Sequence, residues 1–214
     1  MFEKMDHSHS EALDEIMKAR HTVRGFSPEP LKKEDVDQII EAGLIAPFAM
    51  MSVIGRSDFR KFFVFPAGSP NKDKVKNIVK ARFPEYIANL DKTAGNTPFA
   101  KMLKSGGPAL ADGLFDKPCL VIAAERWGIP AIAPESLSFC LENMWLKATT
   151  LKVGFQLLSV ISGQKLGNDK EFCDLLGIPC GEYYLDGFAL GYPASGFKPA
   201  PVKYPELESS VRWL

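Results

Sequence analysis

Apolar residues recur along the chain at two periods, and the switch between them predicts the order of helices and strands. Residues 9–20 set Leu13, Ile16 and Met17 at i, i+3, i+4 and end on Arg20-His21, basic residues suited to the negative end of a helix dipole. A brief extended stretch, residues 22–27, is closed by Pro28 and Pro30, which exclude a central strand. Val36, Ile39, Ile40, Gly43 and Leu44 keep helical spacing, with Glu34 and Asp35 in the first turn, and the pattern stops at Ala46-Pro47. Residues 59–65 are aromatic and β-branched over the length of a strand, bounded by Pro66 and Gly68. Residues 70–83 look helical. Residues 84–117 mix charge, glycine and proline with two weak helical patches and are the least predictable part of the chain.

Residues 118–125 form a continuous apolar run of the buried-strand type. A long helix then starts near Pro134. Leu137, Cys140, Leu141, Met144, Ala148 and Leu151 make one stripe, while Phe139, Trp145 and Leu146 make the remainder apolar, the pattern of a helix buried on most faces. A further strand is expected over residues 153–160. Asn168 with Glu171 reads as an N-cap pair for a short helix that ends at Gly177 and Pro179. Residues 183–192 give the last core strand. The tail, residues 193–214, carries four prolines and suits a path over the surface or over a neighbouring subunit better than a place in the core. Strands interleaved with helices indicate an α+β or α/β domain, here taken as one unit over residues 1–214.

Composition narrows the function classes. Lys and Arg number 26, as do Asp and Glu, so no net positive field concentrates the chain on nucleic acid. The longest apolar run, residues 44–55, contains Pro47 and falls short of the roughly 20 residues a membrane-spanning helix needs. The N-terminus lacks an apolar signal core, so a cytoplasmic protein is expected. Cys119, Cys140, Cys173 and Cys180 match neither a CxxC pair nor a zinc ligand set and are expected to be reduced thiols filling the core. No GxGxxG or GxxxxGK[ST] loop is present.

The residues with chemistry to offer are Arg20-His21-Thr22-Val23-Arg24. In an extended conformation Arg20, Thr22 and Arg24 project to one side at period two, presenting two guanidinium forks and a hydroxyl to one anion. A phosphate monoester needs such charge-assisted donors. The same residues also read as the basic end of a helix followed by a solvated Arg24. The apolar loop from Phe48 to Ser52 reads as core, or as the border of a flat aromatic ligand or a subunit contact.

Taken in order, Arg20-His21-Thr22-Val23-Arg24-Gly25-Phe26, the helix ending Ala46-Pro47, the long central helix leading to Gly154, and Leu190-Gly191-Tyr192-Pro193 resemble the FMN-dependent nitroreductase family over most of the chain. The resemblance implies a mixed central sheet flanked by helices, assembled as an intertwined homodimer with FMN at the interface. It gives Arg20, His21, Thr22 and Arg24 the FMN phosphate and ribityl chain, with Lys203, or Lys198 behind it, completing the phosphate site from the tail. Ser159, Ile161, Ser162 and Gly163 would run along the isoalloxazine. Pro47, Phe48, Ala49 and Met51 stand where family members carry Ser and Asn, so that contact is apolar, rebuilt from backbone, or lost.

The activity so implied is ping-pong reduction of nitroaromatics, quinones or related small aromatic acceptors by NAD(P)H. Such an enzyme needs little acid-base machinery from its protein, in keeping with the absence of a recognisable triad or carboxylate pair. His21 and Arg20 are the candidates for the N1 and O2 edge of the reduced flavin. Two alternatives are an FMN storage or sensing module with little turnover, and specialised flavin chemistry such as fragmentation or dehalogenation, with residues 84–117 as a lid.

Overall fold

A computed structural model describes residues 7–48, 58–94, 97–201 and 204–213. The elements in order are α1 (His7–Ala19), α2 (Lys33–Leu44), β1 (Arg60–Pro66), α3 (Pro70–Ala94), α4 (Pro98–Phe115), β2 (Cys119–Arg126), α5 (Ala133–Thr150), β3 (Gly154–Leu157), α6 (Gln164–Gly167), α7 (Lys170–Leu176), β4 (Tyr183–Gly191) and α8 (Leu207–Ser210). The sheet order is β1-β2-β4-β3, and all four strands pair antiparallel. Among the described residues, the parallel component of the expected mixed sheet is a single bridge of Thr22 to Phe155.

The central strands are apolar without a break because both of their faces are covered. On one face Leu120, Ile122, Leu185 and Ala189 meet Val75, Ile78 and Val79 of α3 and Phe172 and Leu176 of α7. On the other, Val121, Ala123, Phe188 and Leu190 meet Ile39 of α2 and Leu137, Cys140 and Met144 of α5. The result is a layer of helices on each side of one sheet.

Four expectations are corrected. The helix over 70–83 does not stop at Pro84 but runs to Ala94. Proline removes one backbone bond, yet Phe83 is buried just before it, and Arg82–Asp169 and Glu85–Lys165 ion pairs tie both sides of it to the 164–169 segment. The strand over 153–160 ends at Leu157 and gives way to a turn. The N-cap of α7 is Asp169, whose side chain accepts from the Phe172 amide at 3.0 Å; Asn168 closes α6 in a helical conformation and so lacks the extended backbone a cap needs. Finally, α5 is buried along one stripe only. Phe139 is 56% exposed, and Trp145 and Leu146 are half-buried.

Helix α1 has no buried residue, so the predicted face of Leu13, Ile16 and Met17 is left open or half-open within the chain. Among the cysteines, Cys119, Cys140 and Cys173 do fill the core, and burial pushes each thiol up to about 12. Cys180 departs from the expectation by being exposed. Among the described residues no helix is long and apolar enough to cross a membrane.

Candidate functional site

The site is organised along β3. Val23 is buried and packs over Gly154, where a Cβ would come within 2.8 Å of the Val23 side chain. Glycine there lets the segment after α1 lie directly on β3, with the Val23 amide donating to the Phe155 carbonyl at 3.0 Å. With Val23 pointing inward, its neighbours Thr22 and Arg24 turn outward, half-buried and exposed respectively. Arg20 stands at the end of α1, where its amide donates to Ile16 O at 3.1 Å. Its Nε lies 3.0 Å from Glu142 Oε1, and its guanidinium lies 4.6 Å over the Trp145 ring. His21 Nδ1 is 2.7 Å from the Ala19 carbonyl, which requires the proton on Nδ1, and the His21 carbonyl accepts from Trp145 Nε1 at 3.3 Å. The Arg24 carbonyl accepts from Lys117 Nζ at 3.1 Å.

Beyond β3 the chain leaves the sheet for one turn and returns. Leu158 N donates to Gly187 O, Ser162 N to Ser159 O, and Gly163 N to Leu185 O. The turn closes over β4 because residue 187 is glycine, whose Cβ, if present, would come within 2.5 Å of the Ile161 side chain. Ile161 is therefore a core residue, and the Gly163 amide is already taken; only backbone at these two positions is left to face a ligand. Ser159 and Ser162 differ. Both line a cavity of about 440 Å³ between this turn and α3. Val79, Val160, Leu166 and Tyr86 supply its apolar wall, and the Arg82–Asp169 and Lys165–Glu85 pairs, each 2.6 Å, supply its charged wall. Lys165 holds the Glu85 carboxyl below its ordinary range.

The arginine cluster does not line this cavity. Thr22 bridges Phe155 within β3, whereas Ser159 and Ser162 lie in the turn beyond the end of the strand at Leu157. Of the remaining sequence candidates, Pro47 is exposed and its carbonyl accepts from Arg60 Nη2 at 3.1 Å. Phe48 packs on Phe59 with ring centroids 4.6 Å apart. Lys198 is exposed in the tail. Ala49, Met51 and Lys203 lie outside the described residues.

Sequence reasoning missed Arg60, the cavity residues of α3, and Asp186. A carboxylate inside the apolar run of β4 was a legible signal for the last. Asp186 is 7% exposed; burial raises its pKa, and the adjacent Ser162 hydroxyl works against the rise. A carboxyl whose folded pKa is raised contributes stability that is full below the unfolded value, near 3.9, and is lost as pH climbs through the folded value. Asp186→Asn removes that loss. The urea midpoint of the variant, relative to the native protein, is expected to rise as pH goes from about 5 to about 8. A difference constant with pH would show an ordinary carboxyl.

A model of the nitroreductase family matches residues 17–192. The chain belongs to the nitroreductase family. Solved structures similar to it share its α+β fold at low sequence identity. They include a Bacteroides fragilis nitroreductase with bound FMN (20% identity, TM-score 0.62, covering 94% of this chain and 97% of the other). A BluB-like flavoprotein from Clostridium difficile matches at 20% identity and TM-score 0.66, over 99% of this chain and 100% of the other. An oxidized iodotyrosine deiodinase bound to FMN and 3-iodo-L-tyrosine matches at 20% and 0.64, over 94% and 98%. No curated protein matches the chain by sequence.

Proposed function

We propose that this nitroreductase-family protein is an FMN-dependent oxidoreductase that works as a homodimer and uses NAD(P)H to reduce nitroaromatic, quinone or related acceptors. The observation that carries the reading is the arrangement around β3: Thr22 and Arg24 turned outward where the segment after α1 lies on the strand, and Ser159 and Ser162 in the turn that follows it, lining the cavity. Arg20, Thr22 and Arg24 would hold the phosphate, with Lys198 and Lys203 approaching from the tail. Glu142 takes the Nε edge of Arg20 and leaves the terminal nitrogens for an anion. Ser159 and Ser162 would lie along the ring system. Bound FMN would supply hydride transfer, while the protein fixes its orientation and shields it from water. The open faces of α1 and α5, with Leu13, Met17 and Phe139 exposed, support a second copy of the chain as the partner.

Specialised flavin chemistry is the second reading, favoured by Glu85 and Tyr86. These come from the segment expected to form a lid, and they stand in the cavity wall.

Arg20→Ala and Arg24→Ala are each expected to weaken FMN retention by about 10-fold, since a hydrogen bond to a charged group is worth about 1.5–3 kcal/mol. Fluorescence titration of the apoprotein with FMN measures this, and unchanged affinity in both variants rejects the phosphate assignment. Anaerobic mixing with NADH or NADPH then separates the readings. Bleaching of the flavin band supports the reductase, and an intact band with FMN bound removes it.

A further inference from the structure

The segment after α1 is held by backbone bonds on either side of Arg24 but not at Arg24 itself. Val23 N donates to Phe155 O at 3.0 Å, Ala194 N to Gly25 O at 3.1 Å, and Ser27 N to Tyr192 O at 2.8 Å. Among the described residues the peptide joining Arg24 to Gly25 makes no backbone bond of this kind. Packing does not fix it either, because a Cβ at Gly25 would meet nothing closer than 3.9 Å, and glycine leaves its own φ free over a wide range. A side chain does the fixing. Lys117 Nζ donates to the Arg24 carbonyl at 3.1 Å and lies 5.6 Å over the Phe26 ring.

Lys117 is anchored in its turn. Lys72 Nζ, from the first turn of α3, donates to the Lys117 carbonyl at 2.7 Å. The next residue, Pro118, shares with Phe26 the space over Gly191, where a Cβ would come within 2.9 Å of the one and 2.7 Å of the other. The Lys117 side chain is half-buried, and burial lowers its pKa. Asp116 acts on it through charge, and among the described residues no carboxylate is ion-paired with it. A half-buried ammonium without an acid to neutralise it is costly to keep, and the carbonyl it holds belongs to a residue that offers its guanidinium to an anion.

We propose that Lys117 is a positioning residue of the anion site: by holding the Arg24 carbonyl it fixes the backbone that carries the Arg24 guanidinium, and so sets the preference for a phosphorylated flavin over an unphosphorylated one. This rests on the flavin reading, which gives Arg24 the phosphate. A segment already held in its binding conformation has little left to order when the anion arrives; released from Lys117, it must be ordered at that moment, and affinity for the phosphate falls.

The test titrates FMN, and riboflavin, which lacks the phosphate, into the flavin-free native protein, Lys117→Met, Arg24→Ala and the double variant, with flavin fluorescence as the readout. Methionine keeps an unbranched stem beside Phe26 and removes the ammonium, and riboflavin binding shows that the variant is folded. Lys117→Met is expected to weaken FMN binding about 3- to 10-fold, in the range for a hydrogen bond to a charged group at a partly exposed site, with riboflavin within about twofold. In the Arg24→Ala background the same replacement is expected to change FMN binding by less than about twofold, since the side chain through which Lys117 acts is gone. Native FMN affinity in Lys117→Met, or an equal loss for FMN and riboflavin, would overturn the proposal. A loss undiminished by Arg24→Ala would overturn it too, because Lys117 would then act on the phosphate by its own charge. Unchanged FMN affinity in Arg24→Ala alone rejects the assignment of the phosphate to Arg24, and the proposal with it.

Discussion

Replacing Arg60 by Met is expected to cost about 3–5 kcal/mol of stability, the range for removing one partner of a buried ion pair. The Arg60 side chain is fully buried and Glu125 is 1% exposed, with Nε donating to Glu125 Oε2 at 2.6 Å. The other four N–H groups are also spent. Nη1 donates to the carbonyls of Gly43 and Ala46 at 2.7 and 3.1 Å, and Nη2 to Pro47 O at 3.1 Å and Ser136 Oγ at 3.2 Å. One side chain therefore ends α2, fixes where the chain leaves it toward Phe48, and neutralises a buried carboxylate. Arg60→Met leaves the Glu125 carboxylate without its cation and takes the donor from the Ala46 carbonyl, while Gly43 O keeps the Ala46 amide and Pro47 O keeps the Ser136 hydroxyl; adding Glu125→Leu removes the stranded charge and should recover part of the loss. Guanidinium unfolding of both variants measures this. Losses under about 1 kcal/mol in Arg60→Met, or a double variant weaker than the single, would reject the account.

What was legible in the sequence follows from which interactions are local. The α2 stripe, the aromatic β1 run and the unbroken apolar runs of β2 and β4 could be read because period and burial coincide there. The arginine cluster was legible as chemistry, though not the Glu142 and Trp145 that engage Arg20, since these lie on α5 more than a hundred residues away. The continuation of α3 past Pro84 depends on ion pairs to residues 165 and 169, which no local window contains. The early end of β3 depends on Gly187, a position on another strand. The expectation that α5 is buried on most faces failed for a different reason: among the described residues Phe139 on its outer face is left exposed, and hydropathy alone cannot tell a core face from an apolar surface.

Phe155→Ala is expected to cost a further 3–5 kcal/mol in its own right and to weaken FMN binding along with it. Phe155 is the middle of a column. It stacks on Phe188 with centroids 4.6 Å apart and planes 10° apart, and on Trp145 at 4.9 Å and 16°, while the Arg20 guanidinium covers the far face of the column at 4.6 Å from Trp145. Each stacked pair adds about 0.5–1.5 kcal/mol beyond area, and the cation over Trp145 adds about 0.5–1 kcal/mol at a partly exposed site. The column runs from the sheet core to the basic cluster, so a cavity opened in its middle loosens Trp145. That loosens the indole N–H on the His21 carbonyl and the platform under Arg20. Phe155→Leu refills most of the volume without the stack; it should recover more stability than FMN affinity. Parallel guanidinium unfolding and FMN titration of the two variants separate these effects. If Phe155→Leu restores both in the same proportion, the column acts only by filling space and has no part in holding Arg20.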